Sequence, residues 1–526
     1  MTHPYLIEVM KKPDFYPHRP DKVELIQTHI SYVFLAGDFV YKIKKPLKFD
    51  FLDFSTLEKR KFFCEEELTL NRRLAPDTYL DVVAIFQNMD DDITLNPGGE
   101  IIEYAVLMKR LPDDRMLKAL LAQGMTNEAI MDKLAQKIAL FHQTAQTGTH
   151  IDEMGSVENI RRNTKDNLNE TRPYIQVTLP EYQYLFIKEY MDGFLTKNQQ
   201  LFERRILDHK IRDCHGDLHL DHICINDNMT IFDCIEFNNR FRFGDVAEDV
   251  AFLTMDIDYN GYPRHAEYLV ESYIRHSGDR DILKLLNFYR CYYACVRGKV
   301  TSLRLSQKEF TANERLEIKQ SAEKYFNLAY SYAARLTNPV LIMMAGLMGS
   351  GKSYQARVLA AQLGADVIVT DILRKELFHI QPTERRHEAF GQGIYSDDIS
   401  RQVYDKALEL ALQTIHRGKS VILDASFKKR EERRKALDVA RNHGIVSYVL
   451  ECSCPDHITK ARLEKRERNN DNTSDGRWEL FQKQQNDFDT ITEVPDHQYF
   501  RIDTSVNPEM ARHEFIKKIK WNDDLM

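Results

Sequence analysis

One eight-residue run constrains this chain more than any other feature: residues 346–353 read GLMGSGKS. The run fits G-x-x-x-x-G-K-[ST], follows an apolar stretch and precedes a segment of helical character. Backbone N–H groups of such a loop close on phosphate oxygens, and the helix that follows adds positive potential. We therefore predict a P-loop that binds ATP and Mg²⁺, with Lys352 on the β and γ phosphates and Ser353 on the metal. The predicted phosphate-binding residues are Gly346, Gly349, Ser350, Gly351, Lys352 and Ser353.

Short apolar segments alternate with helical ones on both sides of this loop. Alternation of this kind predicts βαβ units and a parallel sheet. The Asn338-Pro339 step breaks the polar helix before it, so we place the domain boundary between residues 337 and 338. Residues 338–526 are predicted to be an α/β P-loop NTPase domain. Its strands are expected at 340–345, 367–370, 420–423, 447–452 and 499–502.

Three further features of this domain favour phosphoryl transfer over simple nucleotide binding. Asp371 follows the second strand, where its carboxylate would accept a proton from a hydroxyl, and Arg374 would hold substrate or phosphate. Asp424 ends the third strand, the place of a carboxylate that holds the magnesium shell. Arg462 and Arg466 share one helix face and would close over the transferring group.

The order P-loop, DxxR, strand Asp and RxxxR resembles a group of small P-loop kinases. That group includes zeta toxins, gluconate-kinase-like enzymes and the kinase domain of polynucleotide kinases. Residues 472–478, NTSDGRW, are also similar to the SD-x-x-W segment of its ATPase-like members. The resemblance implies phosphorylation of a hydroxyl by ATP with Asp371 as the base, and it does not name the acceptor.

A second motif lies in the N-terminal part, where residues 214–222 read CHGDLHLDH and residues 231–236 read IFDCIE. A turn aspartate followed by a strand-end aspartate suits phosphoryl transfer. Asp217 would accept the proton of the substrate hydroxyl, and Asp233 would bind magnesium that bridges the phosphates.

These residues resemble the H-G-D-x-H-x-x-N loop of the aminoglycoside phosphotransferase and choline-kinase-like family. The resemblance implies a bilobal α+β kinase-like domain over residues 1–337, with Lys42 contacting phosphates and Glu67 pairing with it. Lys44 competes for this role, because it points to the same face of its strand. Asp245 and Asp249 match the family's D-x-x-x-D, and we interpret them as structural.

One residue departs from that family pattern. The loop asparagine that binds magnesium in the family falls on His222, which we therefore include among the predicted metal ligands. Mg²⁺ prefers hard oxygen ligands over imidazole. A weak kinase, a kinase with another metal and a binding domain without transfer all stay open. A zinc site of His215, His219 and His222 is disfavoured, because the run lies on a loop rather than on an evident helix.

Composition adds limits on partners and location. From residue 338 onward basic and acidic side chains are equal in number, so the whole net charge of −7 falls on the first 337 residues. A neutral C-terminal part is not typical of a general nucleic-acid binder. No run of about 18 apolar residues and no secretory segment occurs, so we expect a cytoplasmic protein without a membrane partner.

Three functions stay open. The whole chain is similar to fused proteins usually called bifunctional aminoglycoside phosphotransferase/ATP-binding proteins, which favours two phosphotransferase modules and a small-molecule hydroxyl acceptor. The second is a P-loop ATPase with a catalytically weak kinase-like binding domain. The third is a polynucleotide 5′-hydroxyl kinase, for which the basic run 428–435 would track a phosphate backbone. That run lacks interleaved aromatic residues, so nucleic acid is possible but not favoured.

Overall fold

The computed structural model describes residues 4–49, 51–307, 310–381, 384, 391–467 and 476–525. The chain forms two compact units. The first comprises the residues up to Thr178 together with Lys188–Phe326, and the second comprises Leu179–Ile187 and the residues from Asn327 onward. The assignment of 1–337 and 338–526 as two domains stays a prediction. In the described part of the chain, no helix is long and apolar enough to cross a membrane.

The first unit begins with a strand-rich lobe. Its elements are α1 (Pro4–Met10), β1 (Val23–Gln27), β2 (Ser31–Ala36), β3 (Phe39–Lys44), β4 (Lys48–Phe49), β5 (Leu52–Asp53), α2 (Leu57–Asn71), β6 (Tyr79–Gln87), β7 (Ile93–Thr94) and β8 (Glu100–Lys109). Six of the strands form an antiparallel sheet in the order β1-β2-β3-β8-β6-β7. Strands β2 and β3 form a hairpin around a turn in which Gly37 has φ +60°.

Helix α2 brings a buried carboxylate to this sheet. The Thr56 side chain accepts a hydrogen bond from the Lys59 amide and so begins the helix. The helix packs on β8 and β6, and Glu67 on its inner face is fully buried. On the strand side, Lys42 and Lys44 of β3 both reach Glu67. The strand period of two therefore sets the two lysines on the face that meets α2.

The rest of the first unit is mainly helical. Its helices are α3 (Leu117–Ala122), α4 (Glu128–Thr144), α5 (Thr149–Asp152), α6 (Val157–Thr171), α7 (Glu181–Lys197), α8 (Gln199–Leu207), α9 (Asn239–Arg242), α10 (Val246–Tyr259), α11 (Pro263–Ser277), α12 (Ile282–Leu303) and α13 (Ala312–Ala334). Of these, α7 and α13 also contribute residues to the second unit. Short strands interrupt the helices at β9 (Ile211–Asp213), β10 (Ile223–Cys224), β11 (Thr230–Ile231) and β12 (Phe243–Asp245).

The second unit contains a five-stranded, wholly parallel sheet. Its strands are β13 (Val340–Ala345), β14 (Asp366–Val369), β15 (Val421–Asp424), β16 (Val446–Ser453) and β17 (Tyr499–Asp503), in the order β14-β15-β13-β16-β17. Every residue of β13 is buried. The five predicted strands are confirmed, with ends that differ from the predicted ones by at most one residue.

Helices cover this sheet and place the motif residues at one edge. They are α14 (Lys352–Leu363), α15 (Thr370–Leu377), α16 (Asp397–His416), α17 (Arg430–Asn442), α18 (Asp456–Glu467), α19 (Trp478–Asn486) and α20 (Pro508–Leu525). Because the strands are parallel, the carboxyl ends of β13, β14 and β15 meet at the same edge. The P-loop, Asp371 and Asp424 all follow or end those strands.

Candidate functional site

The P-loop glycines are required by close backbone approach. A Cβ atom on Gly346 would lie 2.3 Å from the Cys452 carbonyl oxygen. One on Gly349 would lie 2.9 Å from Cγ2 of Thr459. Both glycines also have positive φ, which side-chain-bearing residues rarely adopt. Glycine at these two positions therefore allows the close-packed loop conformation, which a residue with a side chain would disturb.

A cavity of about 270 Å³ beside the P-loop collects most of the predicted catalytic residues of the second unit. Predicted residues among its lining are Gly349, Gly351, Lys352, Ser353, Asp371, Arg374, Asp424 and Arg466. A strand end, a glycine loop and two helix starts thus converge on one space. The cavity thus brings together the predicted phosphate donors, the predicted metal-binding pair and the predicted base.

The hard oxygen ligands that Mg²⁺ needs are present at the edge of this cavity. Asp424 ends β15 and is almost fully buried, and the Ser353 hydroxyl donates a hydrogen bond to it. Burial raises the pKa of Asp424, and the bond from Ser353 and the charge of Lys352 offset only part of that rise. A divalent cation would relieve this cost, so the donor set fits Mg²⁺.

Lys352 rests on its own loop. Its Nζ donates to the Leu347 carbonyl oxygen at 2.7 Å. Burial lowers the pKa of Lys352, against the opposing charges of Asp424 and Asp371. The ammonium is therefore held by a neutral acceptor that phosphate oxygens can replace.

Asp371 lies in the first turn of α15 and lines the cavity. Arg374, one turn later on the same helix, is held by neighbouring residues. The Arg374 side chain is buried and donates to the Ile394 carbonyl at 2.7 Å and to the Ser400 hydroxyl at 3.2 Å. Its guanidinium lies 5.0 Å from the Tyr395 ring centroid. Among the described residues its Nε has no hydrogen-bond partner.

Arg462 and Arg466, the two arginines predicted to close over the transferring group, have different surroundings. Arg466 lines the cavity, and burial lowers its pKa despite the nearby charges of Asp371 and Asp424. Arg462 is not among the lining residues. It donates to the Thr504 hydroxyl at 2.8 Å and to the Thr504 carbonyl at 2.9 Å. Thr504 in turn donates to the Ser350 carbonyl at 2.7 Å, so Arg462 supports the P-loop from behind.

Several residues that line the cavity were not predicted from the sequence. Arg357 lies one turn after Ser353 on α14, a spacing that would have revealed it. Tyr395, Tyr404 and Glu432 carry no local signal, because only the fold brings them to the cavity. Residues 472–475 of the NTSDGRW run lie outside the described residues, and the similarity of that run to the SD-x-x-W segment stays a prediction.

In the first unit, Lys42 joins the predicted carboxylates directly. Its Nζ lies 2.8 Å from Oε1 of Glu67 and 2.6 Å from Oδ1 of Asp233. Lys44 lies 2.7 Å from Oε2 of Glu67 and also pairs with Glu236. Glu67 is thus shared between the two lysines, and of the two only Lys42 reaches Asp233, which lies two residues after β11 and not at its end as predicted. Although burial acts to raise the pKa of Asp233, Lys42 and His222 lower it below its usual range.

The loop that carries Asp217 is held from below by a buried aspartate. Asp249 accepts the backbone amides of His215 and Gly216 at 2.8 and 2.9 Å. Asp245 begins α10 as its N-cap and pairs with Arg205. These contacts agree with the structural interpretation of both aspartates. The Asp217 side chain is a third exposed at the loop surface.

His222 lies between the two aspartates predicted to act in transfer. Its Nδ1 is 2.9 Å from the Asp217 carbonyl oxygen, and its Nε2 is 3.4 Å from Oδ2 of Asp233. Burial lowers the pKa of His222, and the neighbouring His219 adds to that effect. Asp217, His219 and His222 also have possible ligand atoms within 4.8 Å of one another. Imidazole here takes the place of the oxygen ligand that Mg²⁺ prefers, so the fit to Mg²⁺ is poorer than in the second unit.

Two family models match the chain. Residues 63–286 match the phosphotransferase enzyme family, and residues 341–491 match a AAA domain. The chain is 32% identical over 445 residues to the uncharacterized protein Rv2004c of Mycobacterium tuberculosis, a match that covers 84% of this chain and 86% of that protein.

Solved structures are similar to each part of the chain. A sugar kinase from Janibacter is 21% identical and covers 34% of this chain and 94% of its own, with a TM-score of 0.27. An aminoglycoside 2′-phosphotransferase-IIIa in its GDP complex is 16% identical and covers 61% of this chain and 97% of its own, with a TM-score of 0.37.

Proposed function

This chain belongs to the same family as the mycobacterial protein, with a phosphotransferase-family domain followed by a P-loop AAA domain, and from that premise we propose that its C-terminal module is a kinase. The module transfers the γ-phosphoryl group of ATP to a hydroxyl group of a small molecule. The cavity that gathers Lys352, Asp371, Asp424 and Arg466 carries this proposal.

The residues of the cavity divide the work of an in-line transfer. Asp371 takes the proton of the acceptor hydroxyl, whose oxygen then bonds to the γ-phosphorus. The bond from that phosphorus to the β–γ bridging oxygen breaks, and ADP leaves with the electron pair. Lys352 and Arg466 hold the charged phosphate oxygens, and Arg374 orients the acceptor or the transferred group. Mg²⁺ held by Ser353 and Asp424 would neutralise charge on the phosphates.

For the N-terminal module we propose nucleotide binding at Lys42, Asp233 and Asp217. The ion pairs of Lys42 with Glu67 and Asp233 favour this site. His222 supports the alternative of a module that binds nucleotide or substrate and transfers phosphate weakly. In that alternative the chain is a P-loop ATPase with a kinase-like binding domain.

The surroundings of the basic run 428–435 weigh against a polynucleotide acceptor. Lys428 and Lys429 both pair with Asp487. Arg433 is fully buried and pairs with Glu493, and Lys435 pairs with an aspartate of α16. A run neutralised in this way offers little charge to a phosphate backbone.

The test is ATP consumption with Mg²⁺ across a panel of hydroxyl acceptors: sugars, nucleosides, 5′-hydroxyl oligonucleotides and aminoglycosides. Acceptor-dependent turnover should fall about 10²–10³-fold in Lys352→Ala, because a charged donor to the phosphates is lost. Lys483→Ala, on the exposed face of α19, is the matched control. Asp217→Ala shows separately how much of the ATP consumption comes from the N-terminal module. Turnover that ignores every acceptor and depends only on Lys352 would replace the kinase by the ATPase alternative.

A further inference from the structure

Arg297 of α12 is a cationic side chain near the 214–222 loop, and it takes no part in the site described above. Tyr293, one turn before Arg297, stacks on Phe252 of α10 with 4.4 Å between the ring centroids. Phe252 in turn lies 5.6 Å from the ring of His219. Because residues four apart share one face of a helix, Arg297 lies on the face of α12 that is turned towards α10 and the loop.

The charge of Arg297 acts on the aspartate of this loop. Burial acts to raise the pKa of Asp217, but the charges of neighbouring groups hold it below its usual range: His219, His222 and Arg297. Burial acts to lower the pKa of Arg297, and nearby groups raise it, among them Tyr325, Asp256 and Asp217. Arg297 and Asp217 are therefore close enough for each to change the charge state of the other.

Most donors of Arg297 have no partner inside the protein. Its Nε donates to the Tyr325 hydroxyl at the long distance of 3.4 Å. Within the described residues, Arg297 forms no ion pair with a carboxylate, and its Nη1 and Nη2 make no hydrogen bond. Asp256, a carboxylate nearby, instead accepts the Leu220 amide at 3.0 Å. A partly buried guanidinium without a paired anion costs free energy, and its two terminal nitrogens are the fork that binds a carboxylate or a phosphate.

The two aspartates of this module have different electrostatic neighbours. Burial acts to raise the pKa of Asp233, and the charges of Lys42 and His222 lower it. Asp217 has Arg297 among the charges that lower its pKa. An anion on Arg297 is therefore beside the proposed base rather than at the phosphate-binding lysine. Since the group that meets a base is the hydroxyl to be deprotonated, this anion belongs to the acceptor and not to the nucleotide.

We propose that Arg297 binds an anionic group, a phosphate or a carboxylate, on the acceptor of the N-terminal module, next to the hydroxyl that Asp217 deprotonates. A guanidinium charge at this place repels a polycation, so the same arginine disfavours aminoglycosides as acceptors. The proposal rests on the N-terminal site proposed above, because it takes Asp217 as the base. It is independent of transfer by the C-terminal module.

The experiment follows the side-chain Nε–H signals of the full chain, labelled with ¹⁵N-arginine, by nuclear magnetic resonance. The signal of Arg297 is the one that Arg297→Lys removes. Inorganic phosphate is titrated without nucleotide, with ADP and Mg²⁺, and with a non-hydrolysable ATP analogue and Mg²⁺. We expect phosphate to shift the Arg297 signal in all three states, and an aminoglycoside to leave it in place. Arg264, an exposed arginine of α11 without a hydrogen bond or ion pair among the described residues, gives the control signal that should not move.

The ring signals of His219 in protein labelled with ¹⁵N-histidine give the phosphate affinity of the variants. Arg297→Gln should weaken phosphate binding about 10–100-fold, the size expected when hydrogen bonds to a charged group are lost. Arg297→Lys should retain part of the affinity, because the charge remains, and the matched control Arg264→Gln should retain all of it. Equal phosphate affinity in a folded Arg297→Gln protein overturns the proposal, because a merely structural arginine would give that result.

Three further outcomes are decisive. An Arg297 signal that phosphate does not move in any nucleotide state overturns the proposal without a variant, as does a signal that moves with the aminoglycoside instead. A signal that moves with the ATP analogue but not with ADP, and then ignores phosphate, assigns Arg297 to the γ-phosphate and overturns the acceptor assignment. A phosphate shift in a protein whose N-terminal module binds no ADP supports the anion site and removes the nucleotide site.

Discussion

The two candidate sites hold their phosphate-binding lysine in different ways. In the first unit, Lys42 is paired with the carboxylates of Glu67 and Asp233. In the second unit, Lys352 donates to the carbonyl oxygen of its own loop at 2.7 Å. A nucleotide that binds at Lys42 must compete with two charges, whereas one that binds at Lys352 replaces a neutral acceptor. A P-loop binds phosphate mainly with backbone amides and needs few compensating carboxylates, while a kinase-like site depends on a buried ion-pair network.

The largest expected effect tests the transfer role of the second site. Asp371→Asn should lower acceptor phosphorylation about 10²–10⁴-fold, because the amide cannot accept the hydroxyl proton. Nucleotide affinity should stay unchanged, since Lys352 and the loop amides remain. The measurements are product formation and ADP binding by calorimetry. Asp366→Asn, at the exposed start of β14, is the matched control. Unchanged turnover would remove Asp371 from the role of base.

The next effect tests the ion-pair network of the first site. Glu67→Gln should lower the free energy of unfolding by about 3–5 kcal/mol, because Lys42 and Lys44 lose the carboxylate that they share inside the protein. Chemical denaturation measures the change. Glu65→Gln, which lies on the exposed face of the same helix, should have no effect. Equal stability of the two variants would show that the network contributes little to folding.

Burial of His215 in the first unit is expected to make the free energy of unfolding depend on pH. Burial lowers the pKa of His215 to about 4 from an ordinary value of 6.5. The folded state therefore binds fewer protons than the unfolded state below pH 6.5, and stability falls as the pH falls from 6.5 to 4. The loss approaches about 3 kcal/mol at pH 4. Unfolding of the wild type and His215→Gln between pH 7 and 4 measures it. If the exposed control His29→Gln removes as much of the pH dependence, His215 is not its source.

The smallest effect concerns metal use in the first site. His222→Asn should raise Mg²⁺-supported nucleotide turnover by the N-terminal module about tenfold, because an amide oxygen replaces an imidazole. Hydrolysis is measured in a Lys352→Ala background, so that the C-terminal module does not contribute. If turnover does not change, a feature of the module other than His222 limits transfer. The difference between the two sites then does not come from how well each one binds Mg²⁺.

Local sequence was sufficient for the P-loop and for the sheet around it. The predicted phosphate-binding residues of the P-loop lie within 346–353, and the apolar strands show their type by composition alone. The parallel arrangement then fixed the position of Asp371 and Asp424 near the loop, because carboxyl ends of parallel strands share one edge. In the N-terminal part the period of two residues in a strand predicted the common face of Lys42 and Lys44.

The sequence by itself determined which residue types stand in the motifs that predict phosphoryl transfer, because those motifs are contiguous or repeat with a fixed period. Only the tertiary structure decided which partner each of these residues contacts. Lys42 meets Asp233 across 191 residues of chain. Arg462 and Arg466 share a helix face, yet Arg462 donates to Thr504 whereas Arg466 lines the cavity. Nδ1 of His222 faces the Asp217 carbonyl oxygen, a contact with the backbone that exists only once the chain has folded.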